Sequence, residues 1–267
     1  MADWLIGRAG TLYLAAFLGG FGAVALWETW RPLRRGGESR LAARWFTNIA
    51  LSFINQTAMH LVLPLLGFGA ALLAQQRGFG LLNLVDAPAW LAVPAAMLGL
   101  DALRWALHRA LHRWPLLWRL HRVHHSDLDY DCTIGLRFHP LEALLTQGVL
   151  VLAIGLLGLP PIAVLLSDVL TIAHGYFAHG NVGLPARWDG LVRRVVVTPD
   201  LHRVHHSARL EESMSNYGSV LCVWDRLAGC CREQADGGAT GMQIGLAEER
   251  EPRRLGLARL LVMPLRR

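Results

Sequence analysis

The chain reads as a series of apolar blocks separated by short wet stretches rich in arginine and histidine. The first block, from about Thr11 to Trp30, closes on Trp27, Trp30, Arg31, Arg34 and Arg35. An aromatic belt followed by a basic loop marks the end of a membrane span, on the cytoplasmic side. A second block, from about Trp45 to Ala74, carries the chain back and ends at Gln75-Gln76-Arg77; it is long enough to cross with tilt or to break at Pro64. After a short connection from Gly78 to Pro88, a third runs from about Ala89 to Leu107 and delivers His108 to the basic side. The fourth, from about Leu141 to Ala173, is interrupted by Gly158-Leu159-Pro160-Pro161. Its short halves fit a helical hairpin that enters and leaves on one side.

The pattern predicts an all-α polytopic membrane bundle of about four spans, two of them as a hairpin, with a helical cap on the cytosolic side. Three regions follow: N-terminal spans over 1–107, a histidine-rich region over 108–235 with the hairpin 141–173 inside it, and a C-terminal loop and basic tail over 236–267. The tail mixes Leu255, Leu257, Leu260 and Leu261 with Arg253, Arg254, Arg259, Arg266 and Arg267, a composition suited to a membrane surface. An uncleaved first span is expected rather than a removed signal peptide, because the stretch before Trp27 has little basic leader and no clear small-residue cleavage site.

Composition supports the membrane reading: 53% of residues are hydrophobic and only 17% charged, against about a quarter charged in soluble domains. The net charge of +6 is driven by arginines that flank apolar blocks, where a nucleic-acid face would need a basic stripe. Nucleic acid is therefore not an expected partner. Cys132, Cys222, Cys230 and Cys231 form no CxxC pair, which argues against a zinc ribbon or a disulfide framework and suits a reducing compartment.

The chemistry is concentrated in histidine. The box His202-Arg203-Val204-His205-His206 repeats His121-Arg122-Val123-His124-His125 letter for letter. On a helix, positions i, i+3 and i+4 project at about 0°, 300° and 40°, so three imidazoles share an arc of roughly 100°. They face one region, yet differ enough in direction for one box to serve two neighbouring ions. His108 and His112 add an i,i+4 pair, and His174 and His179 stand just before Asn181. These groups hold ten of the twelve histidines. Pro115 can open the helix of the first box. Thr198-Pro199-Asp200 offers a cap, a proline and an acid to start the second.

Imidazole alone does not name a metal. A structural zinc closes with four ligands and a catalytic zinc keeps about three, so eight to ten histidines on one mouth fit two ions. Two irons would activate O₂ strongly enough to take hydrogen from an unactivated C–H bond, and placement beside the bilayer makes a lipid the source of that bond.

The HxxxH element, the two HxxHH boxes, the histidine before asparagine and the run Arg137-Phe138-His139-Pro140-Leu141-Glu142 resemble the fatty acid hydroxylase and sterol desaturase superfamily of membrane di-iron enzymes. Thr198 through Ser207, then Ser215-Asn216-Tyr217-Gly218 and Trp224-Asp225-Arg226-Leu227, are similar to its bacterial members. The resemblance covers roughly residues 90 to 232. It implies a helical membrane domain with a cytosolic cap, two histidine-bound irons, and O₂-dependent hydroxylation, desaturation or ether cleavage of lipids. Position by position, it makes His108, His112, His121, His124, His125, His202, His205 and His206 catalytic metal ligands, with His174 and His179 completing the set.

Lesser candidates surround these. Asp200 either orients a ligand or favours its helix N-terminus. Asn181 and Asn216 are candidate amides of the site wall. Asp127 and Asp129 are expected in a solvated loop. Asp168, inside the hairpin, is expected either to back a ligand or make a polar contact, or to be structural. His139 is expected to cap or pack rather than pair with Glu142, and His60 to be a satisfied structural histidine. No haem, flavin or nicotinamide motif is visible, so electrons are expected from a separate ferredoxin, cytochrome or reductase docking on the arginine-rich face. The rival reading is a membrane protein that binds or carries divalent metal without chemistry. It would need polar sites along its spans, which hold little beyond His60 and Asp168.

Overall fold

The computed structural model describes residues 2–35, 37, 40–63, 65–85 and 87–266. The candidate break at Pro64 and the terminal Arg267 fall outside them. Five helical stretches are long and apolar enough to cross a membrane: Ala9–Trp30 (α1), Leu41–Leu84, Ala89–Arg113 (α4), Pro140–Leu157 (α6) and Pro161–His179 (α7). The second stretch contains two helices, α2 (Leu41–Val62) and α3 (Gly67–Gln76). Between α4 and α6 lies α5 (Pro115–His125), and after α7 comes α8 (Pro199–His205). Among the described residues the only non-helical pairing is two isolated bridges. The chain is an all-α polytopic membrane protein.

The span helices keep large apolar side chains on their outer faces, among them Leu26, Phe53, Leu61, Trp90 and Leu152. Where helices meet, Ala71, Ala74, Ala96 and Ala163 are buried. Lipid gives no hydrophobic drive for helices to associate, so close approach through small residues supplies the attraction. Gly20 of α1 makes the same point: a Cβ there would come within 3.3 Å of Ala173 Cα and Tyr176 Cδ2 on α7.

The hairpin forms as its sequence predicts. Gly158 ends α6 in the left-handed region at φ 61°, a conformation glycine reaches without steric cost. Gly158 N donates to Gly155 O and Leu159 N to Ile154 O, each at 3.1 Å, and Pro161 then sits at the first position of α7. Both arms pack against α3 and α4, and Glu142 at the start of α6 meets His121 while His179 at the end of α7 meets His124, so Pro140 and His179 lie at the same end of the bundle. All four histidine groups therefore share one side.

Three features differ from the sequence reading. The third span does not stop at Leu107: α4 continues to Arg113, because Ala106, Leu107, Ala110 and Leu111 are strong helix formers that carry the rod past the apolar block. His108 and His112 thus stand on a span helix. Asp127 is buried rather than solvated. Arg44 Nη1 approaches its Oδ2 at 3.2 Å, and Asn48 Nδ2 donates to the same atom at 3.0 Å. Arg44 also pairs with Asp131 and, at 3.7 Å, with Asp129. In the tail, Leu255, Leu260 and Met263 close a core with Leu51, Val123 and Leu128, so these side chains face protein.

Candidate metal centre

The site is assembled from four elements. The last two turns of α4 present His108 and His112, and the single residue Trp114 separates that helix from α5, whose first position is Pro115. The sharp junction folds the first HxxHH box back onto α4, bringing His125 Nε2 to 3.1 Å from His112 Nε2. α7 ends on His179. α8 starts at Pro199 after the extended Thr198 and carries the second box.

The imidazoles sort into two groups. His108, His112, His121, His125 and His205 form one; His124, His179, His202 and His206 form the other, and within each the ligand atoms lie within 4.8 Å of one another. The first box gives its i and i+4 histidines to one group and its i+3 histidine to the other. The second box does the reverse, giving His205 to the first group and His202 with His206 to the second. The 100° spread within each box is what allows this exchange.

The hydrogen bonds indicate what the groups can hold. His108 Nδ1 donates to Tyr217 O at 2.9 Å, His205 Nδ1 to Ser215 O at 2.7 Å, and His121 Nδ1 to Glu142 Oε1 at 2.6 Å. In the second group, His124 Nδ1 donates to Arg137 O at 3.2 Å and His179 Nδ1 to Gly175 O at 2.7 Å. A neutral imidazole that donates from Nδ1 carries a bare lone pair on Nε2. Those Nε2 atoms face one another: 3.1 Å for His108 and His121, 3.0 Å for His108 and His205, 3.2 Å for His124 and His179. No hydrogen remains to share between them, so the contacts are repulsive unless a cation lies among them. Nitrogen donors bound at about 2.1 Å and at right angles to one ion lie about 3 Å apart. The donor set fits two imidazole-bound cations.

Burial reinforces neutrality. It pushes His124, His125, His202 and His206 well below the ordinary imidazole range, and the neighbouring imidazoles push the same way. His205 is pushed down to about 3, again chiefly by burial. Metal binding needs the unprotonated ring.

The surroundings hold the rings in place. The two boxes are identical, yet their arginines do different work. Arg203 is fully buried, donates to Gly180 O and Val182 O at 3.3 and 3.2 Å, and lies 4.8 Å from the Tyr130 ring centre. Arg122 instead donates to Met263 O and Arg266 O, fastening the tail. Arg137 donates from Nε to Val123 O, from Nη1 to Asn48 and from Nη2 to Ser126. Burial works to raise the Asp127 pKa, but Arg44 and Arg137 outweigh it and hold the carboxyl below the usual carboxylate range.

Other sequence candidates fall elsewhere. His174 belongs to neither group; its Nε2 meets Val197 O at 2.9 Å. It is five residues before His179, about 140° round the helix. Asn181 exchanges two 2.9 Å hydrogen bonds with the Arg34 backbone and so ties the loop after α1 to the cap. Asp200 pairs with Arg203 and Arg193 in the first turn of α8. His139 caps α6, accepting from Leu141 N. His60 meets Gln56 O, and Asp168 pairs with Arg104 and Tyr13. Sequence reasoning missed Glu142 as the partner of His121, although an acid in the first turn after a histidine-proline step was there to be seen. It also missed Glu28, whose carboxylate accepts from Cys132 N and Asn181 N at 3.0 Å each and joins α1 to the cap.

A cavity of about 430 Å³ adjoins both groups, touching His108, His121, His124, His179 and His202. Its other walls include Phe17, Met59, Leu111, Leu136, Leu150 and Ile172.

The fatty acid hydroxylase family model matches residues 93–230, just over half of the chain and every histidine of both groups. The chain belongs to the fatty acid hydroxylase family. It is 35% identical to the ornithine lipid hydroxylase OlsE of Rhizobium tropici over 122 residues, 46% of this chain and 36% of that protein. It is 28% identical to the alkylglycerol monooxygenase of Homo sapiens over 135 residues, 51% of this chain and 29% of the relative. It is also 28% identical to the fatty acid hydroxylase vlmA of a Lecanicillium species over 177 residues, 59% and 47% of the two chains. The chain thus spans less than half the length of each of these relatives. No solved structure matches it. The resemblance read from the boxes holds, and the family match begins within α4 and runs through the hairpin and both boxes.

Proposed function

We propose that this chain is a membrane oxidoreductase that uses O₂ and external electrons to hydroxylate a C–H bond of a lipid. Two irons would be held by His108, His112, His121, His125 and His205 on one side and by His124, His179, His202 and His206 on the other. The reading rests above all on the exchange of histidines between the two boxes, which builds two adjoining donor groups against one apolar cavity. The relatives named as hydroxylases and monooxygenases support it.

When bound, the irons would supply the redox chemistry that couples O₂ reduction to C–H oxidation; one oxygen atom enters the lipid and the other leaves as water, at the expense of two electrons and two protons. The chain's own residues do the rest. Leu111, Leu136, Leu150 and Ile172 offer an apolar channel that accepts an acyl or similar chain and excludes water. Phe138, stacked on His124 with ring centres 4.4 Å apart, fixes the wall where that chain meets the second group. The hydrogen bond from His121 to Glu142 keeps the ring's tautomer and angle. Electrons come from a separate ferredoxin, cytochrome or reductase, docking on the arginine-rich side that the charge pattern assigns to the cytoplasm.

The test joins metal analysis to lipid profiling. Purified protein should carry two irons per chain. A host expressing it should accumulate a lipid with one added oxygen, lost with His121→Ala and His205→Ala while both variants still insert. One ion or none in active protein, or turnover retained by His205→Ala, overturns the reading.

A further inference from the structure

The first histidine group is held from behind by the loop over residues 215–217. Ser215 O accepts from His205 Nδ1 at 2.7 Å, and Tyr217 O accepts from His108 Nδ1 at 2.9 Å. These two rings come from different helices, and their Nε2 atoms meet at 3.0 Å. The residue between the two carbonyls is Asn216, the one non-glycine residue with positive φ among those described, at 55°. An extended or right-handed residue there would change where its flanking carbonyls point.

We propose that Asn216 is a positioning residue for the first metal group, turning the chain so that the carbonyls on either side each aim one histidine. Asparagine suits the task because its short side chain tolerates the left-handed region and can bond locally. Here the amide is fully used: Nδ2 donates to Leu201 O at 2.9 Å and Arg232 O at 2.7 Å, and Oδ1 accepts from Arg232 N at 2.8 Å. Leu201 directly precedes the second box, so the turn is fastened to the helix that carries His205. The other end is fastened to α4. Asp225, fully buried, accepts from Tyr217 N at 2.9 Å and Gly218 N at 2.8 Å, and from Trp105 Nε1 at 2.8 Å, one turn before His108. The loop thereby bridges the two helices that carry His108 and His205 and backs those two rings alone. His124 and His179 of the second group find their acceptors at Arg137 and Gly175 instead. Damage at Asn216 should therefore strike one group and spare the other.

The inference rests on the two-ion reading above, and the experiment separates the two. Metal-stripped full-length protein in detergent is titrated with Co²⁺, followed by its visible absorption, for wild type and for Asn216→Val, Asn216→Ala and Asn216→Gly, with helix content checked by circular dichroism. Wild type should take up two ions. Asn216→Val, β-branched and excluded from the left-handed region, should bind one ion normally and the other at least tenfold more weakly, with an altered spectrum for that ion. Asn216→Ala should show the same selective loss in milder form, and serves if the valine variant does not fold. Asn216→Gly, which adopts the turn freely, should restore the second ion. Wild type binding two ions while the folded valine or alanine variant binds both normally, or loses both alike, overturns the proposal alone. A glycine variant as damaged as alanine does so too. Wild type binding fewer than two ions overturns the two-ion reading and this proposal with it.

Discussion

His121 has its Nδ1 hydrogen on Glu142, and a carboxylate behind a metal-bound imidazole orients the ring and raises its basicity. Glu142→Ala should weaken metal binding by about 10–100-fold with the helices intact; competition titration with a chelator measures it, and unchanged affinity refutes it. Asp127 presents the opposite case, a carboxylate whose work is structural. Asp127→Ala would leave the buried Arg44 and Arg137 guanidiniums short of a counter-charge, a change that costs roughly 3–5 kcal/mol where a buried pair is broken. Thermal unfolding in detergent should show that loss even without metal. The histidines were legible in the sequence because two identical boxes carry a helical spacing. Their backing was not. Glu142 lies 21 residues from His121, the acceptors at Tyr217, Ser215 and Gly175 are backbone carbonyls that leave no mark in sequence, and nothing local distinguishes the buried Asp127 from the half-buried Asp129.

At the element scale, the hairpin decides whether the site exists at all, since α6 starts beside the first box and α7 ends in the second group. Its turn is crowded as well as left-handed. A Cβ at Gly158 would come within 2.7 Å of Asn83 Nδ2 and 2.9 Å of Phe79 O, while Gly80 faces Gly158 N at 2.4 Å from its own ideal Cβ position. Gly158→Ala should therefore cost more than the roughly 1–2 kcal/mol of a left-handed L-residue alone, read as a lower unfolding midpoint, and Gly80→Ala should cost a comparable amount from the other side. A midpoint unchanged in both would mean that the connection relaxes freely. The turn itself was readable from Gly158-Leu159-Pro160-Pro161, a stop signal followed by a start signal. The mate at Gly80 was not, because a connection between spans says nothing about which turn it rests on. The end of α4 was misjudged for a related reason: hydropathy marks where a helix leaves the apolar layer, whereas propensity and the next proline decide where it stops.

At the scale of the whole molecule, the buried imidazoles make stability depend on acid in a definite direction. In the unfolded chain each histidine takes a proton near pH 6.5. In the folded chain His124, His125, His202 and His206 resist protonation to well below that value and His205 to about 3. Below about pH 6.5 the unfolded state therefore binds more protons than the native one, so the unfolding free energy falls as pH falls and is flat above that range. Simple titration of free imidazole would predict metal leaving the folded site below about pH 6. Burial instead keeps the rings neutral there, so the folded chain should hold its metal and acid should act by unfolding the protein. Metal-free protein in detergent should accordingly show a constant unfolding midpoint between about pH 8 and pH 7 and a progressive drop from about pH 6 downward. The metal-loaded form should unfold at a higher temperature at every pH, because an ion that binds only the native state adds to its stability. Metal release and loss of helix should then coincide on acidification. Release that precedes any loss of helix would show that the rings protonate inside the folded site, and the account of the site as a dry, neutral cluster would fail.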